Sequence, residues 1–297
     1  MEHIVDTFSN GIKNLIKNPV LFVPVILLSI LISVITVPIT LFIVDLITSA
    51  TAFNLLTIIS VSFVFFILTL LLGAFFSAGL IGMIKEAVEK GKTSFSDFFS
   101  YGRKYTVRMF LSSVLLLILN GLALIFWIPL YNTYIKSGLT LTSIFDSFND
   151  FILIGNIEPF MEIIRIFAFS LSIGLLLTLV YSLILTVLFY FVSYAIVIDN
   201  LPVIAAFKKS LSLLKQYPGK VIIFIIAVNV LVMAILQIAE IFWAILIFNM
   251  FLFIIGAVPY LLVELFVNIA ALVWTARFYM AITEKELYVE EKLTDYY

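Results

Sequence analysis

Long apolar runs without charged residues alternate along the chain with short segments that carry most of the lysines and arginines. A helix needs about 20 apolar residues to cross the hydrocarbon core of a bilayer. The last run, 221–276, is long enough for two helices, and Asn249, Gly256 and Pro259 indicate a turn within it. The pattern predicts six membrane spans: 20–44, 55–84, 109–131, 166–198, 221 to about 247, and about 258 to 281.

An amphipathic segment precedes the fifth span, within the stretch DNLPVIAAFKKSLSLLKQYPGKVIIF that runs from Asp199 to Phe224. Helical spacing predicts an apolar side made of Ile204, Phe207, Leu211 and Leu214. The polar residues fall largely on the other sides: Lys208, Lys209, Ser212, Lys215 and Gln216. Asn200 and Pro202 are helix start signals, and Pro218-Gly219 is a stop signal. The segment is predicted to lie at the membrane interface with its lysines near anionic headgroups.

Related segments precede the first and third spans. Phe8 precedes Pro19 by the same distance as Phe207 precedes Pro218. The apolar side of the first segment is predicted as Phe8, Ile12, Leu15 and Ile16; that of the looser copy before the third span is predicted as Phe95, Phe98 and Tyr105. We therefore predict an all-α membrane helix bundle, a single domain over 1–297, with three parallel repeats (about 1–92, 93–199 and 200–297) of an interfacial helix plus a hairpin. The alternative is that these are the basic flanks of an ordinary polytopic protein.

Composition supports the membrane class and sets an orientation. Hydrophobic residues make up 64% of the chain and charged residues 12%, which is too little charge for a water-facing surface. Lysine and arginine are concentrated in alternate connections, and the connections between them carry almost none. The positive-inside rule therefore predicts a multi-pass protein of the cell membrane with both termini in the cytoplasm.

Several kinds of chemistry are excluded by the residues available. The chain has no cysteine and one histidine, His3, so thiolate catalysis, cysteine-ligated metals and an imidazole cluster cannot be built. No phosphate-binding glycine loop is present in the sequence, no nucleophile–base pair can use histidine, and the net charge of −1 argues against nucleic acid as a partner. We expect a non-enzymatic protein without a cofactor.

Two carboxylates interrupt the last two spans and define a candidate polar site. Glu240 and Glu264 are predicted at similar depth, near the outer side of the membrane. Gln237 lies one turn before Glu240, and Asn268 lies one turn after Glu264. If these faces meet, they form a pocket for a cation, a proton or an amine headgroup. The alternative is that both carboxylates are hydrated at the outer interface or pair with Lys136 or Arg165.

Two further features concern packing. In GAFFSAGLIG, small residues recur at four-residue spacing between Gly73 and Gly82, which favours a close helix–helix seam. Arg277, near the end of the sixth span, is expected to extend its guanidinium to the cytoplasmic headgroups.

The stretches NPVLFVP and VIDNLPVIAAFKKSLSLLKQYPGKVIIF resemble a broad prokaryotic group of six-span membrane proteins. This group includes the membrane domain that precedes the catalytic domain of some glycerophosphodiester phosphodiesterases. The matching residues are Asp199, Asn200, Ala206, Phe207, Lys208 and Ser210. The phosphodiesterase catalytic domain needs paired histidines and acidic metal ligands, which one histidine cannot supply. The resemblance therefore implies membrane architecture and not hydrolase activity.

Two classes of function remain open. The first is a lipid-interacting or scaffolding module, with or without a protein partner. Its candidate headgroup contacts are Arg103, Lys104, Arg108, Lys208, Lys209 and Lys215. The second is a small transporter or channel with Glu240 and Glu264 along its path. Transporters often break their spans at mid-membrane, and no Gly/Pro pair interrupts corresponding spans in this way. The lipid-interacting module is therefore the favoured interpretation.

Overall fold

The computed structural model describes residues 2–48, 52–138, 140, 143, 146–148, 157–245 and 250–288. Throughout these residues the regular structure is helical and no strand occurs, which confirms the all-α class. The α-helices of six or more residues are α1 (Ile4–Lys17), α2 (Phe22–Thr48), α3 (Ala52–Lys90), α4 (Phe95–Gly121), α5 (Ile128–Ser137), α6 (Glu158–Phe189), α7 (Val192–Val197), α8 (Val203–Gln216), α9 (Pro218–Ile245) and α10 (Met250–Ile282). Short 3₁₀ helices occupy Pro19–Leu21 and Leu122–Trp127.

Among the described residues, six helical segments are long and apolar enough to cross a membrane, as the hydropathy pattern predicts. The predicted start of the sixth helix, at about residue 258, is wrong, because α10 begins at Met250 and contains Pro259 in its interior. Pro259 costs α10 one backbone hydrogen bond, but the residues around it are apolar. Backbone groups in hydrocarbon must be satisfied internally, which favours a continuous helix over a turn there. The predicted turn residue Asn249 lies outside the described residues.

The segment before the third span also differs from its prediction. It is not a separate interfacial helix, because α4 runs without a break from Phe95 into the span and ends at Gly121. The helices before the first and fifth spans do end, and in both cases one residue separates the helix from a proline, Pro19 or Pro218. No proline stands between Phe95 and Gly121. The looser of the three copies therefore has a different structure from the other two.

The chain divides into two compact units, which we describe separately: residues 1–113 with 191–297, and residues 114–190. In the smaller unit, the end of α4, the 3₁₀ helix Leu122–Trp127 and α5 pack along α6. The Tyr181 hydroxyl donates to the Leu119 carbonyl at 2.7 Å, and the hydroxyls of Thr133 and Ser170 lie 2.8 Å apart. These polar contacts hold an otherwise apolar helix pair.

In the larger unit, the segments rich in lysine and arginine are tied together at one end. Asn18 donates from Nδ2 to the Gly91 carbonyl at 3.2 Å and accepts from the Thr93 amide at 3.0 Å. Tyr288 donates its backbone N–H to the Val88 carbonyl at 2.7 Å. We call this the basic end of the unit, formed by α1, residues 91–93, α8 and residues 283–288. The shared end agrees with the predicted lysine and arginine asymmetry, while the side of the membrane that it faces stays a prediction.

The small-residue segment of α3 packs closely on α4. A Cβ placed on Gly82 would overlap the Tyr101 ring, and one on Gly79 would lie 2.7 Å from the Phe98 carbonyl oxygen. Gly73, also within the predicted seam, has open space around it. The close approach is therefore confined to the end of the segment nearest the basic end.

Candidate functional site

Helix α8 has two different apolar surfaces. Its protein-facing side buries Ala206, Phe207, Ser210 and Leu213. Its outward side carries a stripe at spacings of four, three and four residues: Ile204, Lys208, Leu211 and Lys215. Ile204 is 60% exposed and Leu211 is 39% exposed. The predicted apolar side is thus corrected, since of the residues assigned to it only Phe207 is fully buried.

A polar arc adjoins this outward stripe. Lys209, Ser212 and Gln216 follow one another at spacings of three and four residues on the next side of the helix. Ser212 and Gln216 are exposed, and Lys209 is half-buried. Going round α8, the surfaces therefore run from protein contact to exposed apolar side chains, then lysines, then polar groups. This is the order that a helix lying along a membrane surface presents.

Helix α1 repeats this order of surfaces. When the two helices are aligned on Pro19 and Pro218, the outward stripe of α8 corresponds to Val5, Ser9, Ile12 and Ile16. Val5 is 76% exposed and Ile16 is 67% exposed. The protein-facing side buries Thr7, Gly11, Asn14 and Leu15. Ile16 was predicted on the same side as Leu15, and its exposure corrects that assignment.

The two helices also end in the same way. Each has 14 residues, and each is closed by a residue of similar backbone conformation before the proline. Asn18 has φ −123° and ψ 64°, and Tyr217 has φ −131° and ψ 51°. At both positions the chain leaves a surface helix and enters a membrane span with a similar backbone conformation.

The basic residues of α4 fall into two groups. Arg103 and Lys104 are exposed and border a shallow surface groove together with Ser96 and Ser100. Arg108 is instead held by protein, because its Nη1 donates to the backbone and side-chain oxygens of Asn200 at 3.0 and 2.9 Å. Of the predicted headgroup contacts on α4, Arg103 and Lys104 are the accessible ones.

The residues before α8 position that helix. Asn200 adopts a left-handed conformation with φ 55°, which points to its role as a fixed corner ahead of the helix. Asp199 accepts a 2.6 Å hydrogen bond from the Tyr279 hydroxyl and lies 3.1 Å from the Lys285 ammonium. Asp199 therefore anchors the start of α8 to α10 and to the segment after α10, and Asn200 anchors it to Arg108 of α4. The sequence marks Asn200 as a helix start signal and assigns no role to Asp199, for which the place just before a helix is the available signal.

Helix α1 is positioned by a buried ion pair. Arg277 is 0% exposed, and its Nε and Nη2 donate to the Glu2 carboxylate oxygens at 2.9 and 2.8 Å. Asn10 donates to the same carboxylate at 2.7 Å. Arg277 therefore does not extend to headgroups, which corrects the prediction. Its partner Glu2 lies at the opposite end of the sequence, where no local pattern pointed to it.

Trp274 also fixes the position of α1 against α10. Its indole N–H donates to the Phe8 carbonyl at 3.1 Å, and the ring lies so close to Gly11 that a Cβ there would be 2.5 Å from Cδ1. Phe8 packs edge-on against the same indole. Small residues on the buried side of α1 thus allow a close approach to α10.

The candidate polar site is only partly brought together. Glu264 and Asn268 line a groove of about 450 Å³ between α2 and α10, and Ser29 lines the same groove. Gln237 and Glu240 are exposed on α9 and do not line this groove. A pocket shared by Gln237, Glu240, Glu264 and Asn268 stays a prediction.

An aromatic pair lies near the two carboxylates. Trp243 of α9 stacks on Tyr260 of α10 with ring centroids 5.3 Å apart. Such residues are typical of membrane interfaces. Glu240 and Glu264 each lie one turn from this pair, so they are about 5–6 Å from it along their helices. The similar depth of Glu240 and Glu264 in the membrane stays a prediction.

A family model described as a domain of unknown function, DUF7847, matches residues 3–282. The matched range contains the described helices from α1 to the end of α10. No curated protein and no solved structure matches the chain. The relation to phosphodiesterase membrane domains stays a prediction.

Proposed function

We propose that this chain, which belongs to the DUF7847 family, is a non-enzymatic membrane protein that binds anionic lipid headgroups through its surface helices. The observation that carries the proposal is the outward stripe of α8, where exposed Ile204 and Leu211 alternate with Lys208 and Lys215. In water this arrangement would leave two large apolar side chains exposed without gain. At a bilayer surface the same side chains enter the acyl boundary and the lysines meet phosphates.

The expected electrostatic contribution favours anionic lipids over zwitterionic ones. A lysine near an anionic membrane surface contributes about 1 kcal/mol, which corresponds to about fivefold in affinity. Arg103 and Lys104 of α4 are exposed and add to this basic surface. We accordingly propose that the basic end faces the cytoplasm, with both termini on that side of the cell membrane.

The equivalence of α1 and α8 bears on the repeat arrangement. Their shared length, buried positions and exit before a proline support equivalent first and third units. Continuous α4 departs from this pattern, so the second unit is the weakest part of the three-repeat proposal. The two surface helices give the protein two contacts with the same leaflet.

Site-specific fluorescence can test the position of α8. Because the chain has no cysteine, an environment-sensitive fluorophore can be attached at a single introduced cysteine. Labelled Ile204→Cys is expected to show blue-shifted emission and quenching by brominated lipids in nanodiscs. Labelled Ser212→Cys, on the polar arc, is the matched control and is expected to remain water-accessible. Equal quenching at both positions would contradict the proposal.

Lipid selectivity tests the role of the lysines. Lys208→Gln is expected to lower the retention of phosphatidylglycerol relative to phosphatidylcholine by about fivefold, measured by native mass spectrometry. Lys209→Gln removes the same charge from the adjoining polar arc and is expected to have a smaller effect. Unchanged selectivity in the Lys208 variant, or equal losses in both, would overturn the assignment to the stripe.

A second candidate function, transport, is favoured by one observation: the groove that contains Ser29, Glu264 and Asn268. Its test is proton and sodium flux into liposomes that contain the purified protein. The lipid-binding proposal expects no flux above empty liposomes. Flux that is lost in Glu264→Gln and retained in Asp6→Asn, a change on the exposed side of α1, would favour transport instead.

A further inference from the structure

A separate cavity of about 310 Å³ lies within the larger unit, among α2, α3, α7 and α10. Its lining is mainly aliphatic and aromatic and includes Pro24, Leu28, Phe76 and Ile81. The polar side chains of the lining carry hydroxyls: Ser77, Ser193 and Tyr194. It shares no residue with the outward stripe of α8, and it shares only Val25 with the residues that line the Glu264 groove.

Short helix α7 forms one wall of the cavity because α6 does not continue into it. Phe191 interrupts the helix with φ −97° and ψ 4°, and its backbone N–H donates to Ser210 Oγ of α8 at 3.3 Å. Ser193 and Tyr194, in the first turn of α7, line the cavity. Serines at positions 77 and 193 fill less space than the apolar side chains around them, which leaves room between the helices.

The cavity lies near the basic end of the spans. Pro24 stands in the first turn of α2. Leu272 lies two residues, or about 3 Å along the helix, before Trp274, which hydrogen-bonds to α1. Ile81 precedes Lys85 by one turn of α3. The cavity is therefore at the depth of the acyl chains in the leaflet that the surface helices contact.

We infer that this cavity binds one hydrocarbon chain of a membrane lipid. An ordered water needs two to four polar partners, which a lining of mostly apolar side chains supplies poorly. The volume is at the lower end of the range for ligand pockets, which fits one chain rather than a whole lipid. The inference rests on the proposed function, which places the protein in a membrane and has it bind lipids. It adds a binding site for an acyl chain that involves none of the surface lysines.

Photo-crosslinking in nanodiscs tests the inference. The probe is phosphatidylglycerol with a diazirine on one acyl chain, and labelled peptides are mapped by mass spectrometry. Peptides from α2, α3 and α7 that line the cavity are expected to be enriched over equally exposed peptides elsewhere. Labelling spread evenly over the lipid-facing surface would overturn the inference.

A pair of neighbouring substitutions provides the matched control. Leu28→Trp fills the cavity and is expected to lower its labelling by about tenfold, the change expected when about two methylene groups lose their burial. Leu27→Trp adds the same ring at an exposed neighbour outside the lining and is expected to leave cavity labelling unchanged. Ser193→Leu fills the cavity from α7 and serves if Leu28→Trp does not fold. Equal labelling in the filled and control variants would reject the site.

The proposed acyl-chain cavity and the proposed headgroup-binding surface can be rejected independently of each other. In a Lys208→Gln variant, cavity labelling by a phosphatidylcholine probe with the same diazirine chain is expected to persist. Persistent, cavity-specific labelling together with absent anionic selectivity would support the chain site and reject the proposed headgroup function. Loss of cavity labelling in Lys208→Gln with an intact fold would show that the two sites are one, against the inference.

Discussion

Glu2→Leu is expected to lower the free energy of unfolding by about 3–5 kcal/mol, because it leaves a buried cation without its carboxylate. The Arg277 guanidinium is 0% exposed and receives charge compensation from Glu2 through paired hydrogen bonds. Its other hydrogen bond, to the Tyr288 carbonyl at 3.3 Å, is to a neutral group. The measurement is unfolding in mixed micelles by titration with a denaturing detergent, followed by tryptophan fluorescence.

The matched control is Asp6→Leu, which removes a carboxylate four residues further along the chain, at an exposed position in the first turn of α1. A carboxylate in the first turn of an exposed helix contributes only about 0.3–1 kcal/mol. A double variant, Glu2→Leu with Arg277→Met, is expected to be more stable than Glu2→Leu alone, because no unpaired charge remains. A double variant whose loss equals the sum of the single losses would contradict the buried pair as described.

The membrane spans could be predicted from the sequence because hydrocarbon imposes a length and a composition on every crossing segment. The start of α10 could not be predicted as well. Pro259 suggests a turn in water, but in an apolar run the chain gains more by keeping its backbone hydrogen bonds within a helix. Its prediction at about 258, against Met250 in the structure, shows which of the two effects is larger.

The two surface helices could be predicted from the sequence as helices, but the sides on which they contact the rest of the protein could not. An apolar side chain such as Ile204 or Ile16 can meet either protein or lipid, and hydrophobicity alone does not separate these environments. The buried side of α1 includes Thr7, Gly11 and Asn14, and at Gly11 the absence of a side chain permits the close approach of Trp274. Packing of this kind depends on the partner surface and so is absent from a single-helix pattern.

The polar contacts that position the candidate surface were the least predictable part. Glu2 and Arg277 are separated by almost the whole sequence, and Arg108 meets Asn200 across two spans. A lone arginine near a span end is equally consistent with a headgroup contact and with a distant carboxylate. Only the fold decides between them, and it buries Arg277 while leaving Arg103 exposed.

Gly82→Ala and Gly79→Ala are expected to destabilise the larger unit by about 1–3 kcal/mol or more, the cost of overpacking a filled interface. A methyl group on Gly82 would overlap the Tyr101 ring, and one on Gly79 would meet both the Phe98 ring and the Phe98 carbonyl oxygen. The second contact involves backbone, which cannot rotate away. Apparent melting temperatures in detergent, followed by tryptophan fluorescence, provide the measurement.

Gly73→Ala is the matched control, because it lies on the same helix and has open space around its Cα. Alanine is a better helix former than glycine by about 1 kcal/mol, so this variant is expected to be neutral or slightly more stable. A background variant makes the test specific to the contact. Tyr101→Ala removes the ring that Gly82 accommodates, so Gly82→Ala is expected to cost nothing when added to it. If Gly82→Ala cost as much in that background as in the native chain, the loss would arise elsewhere than at the α3–α4 seam.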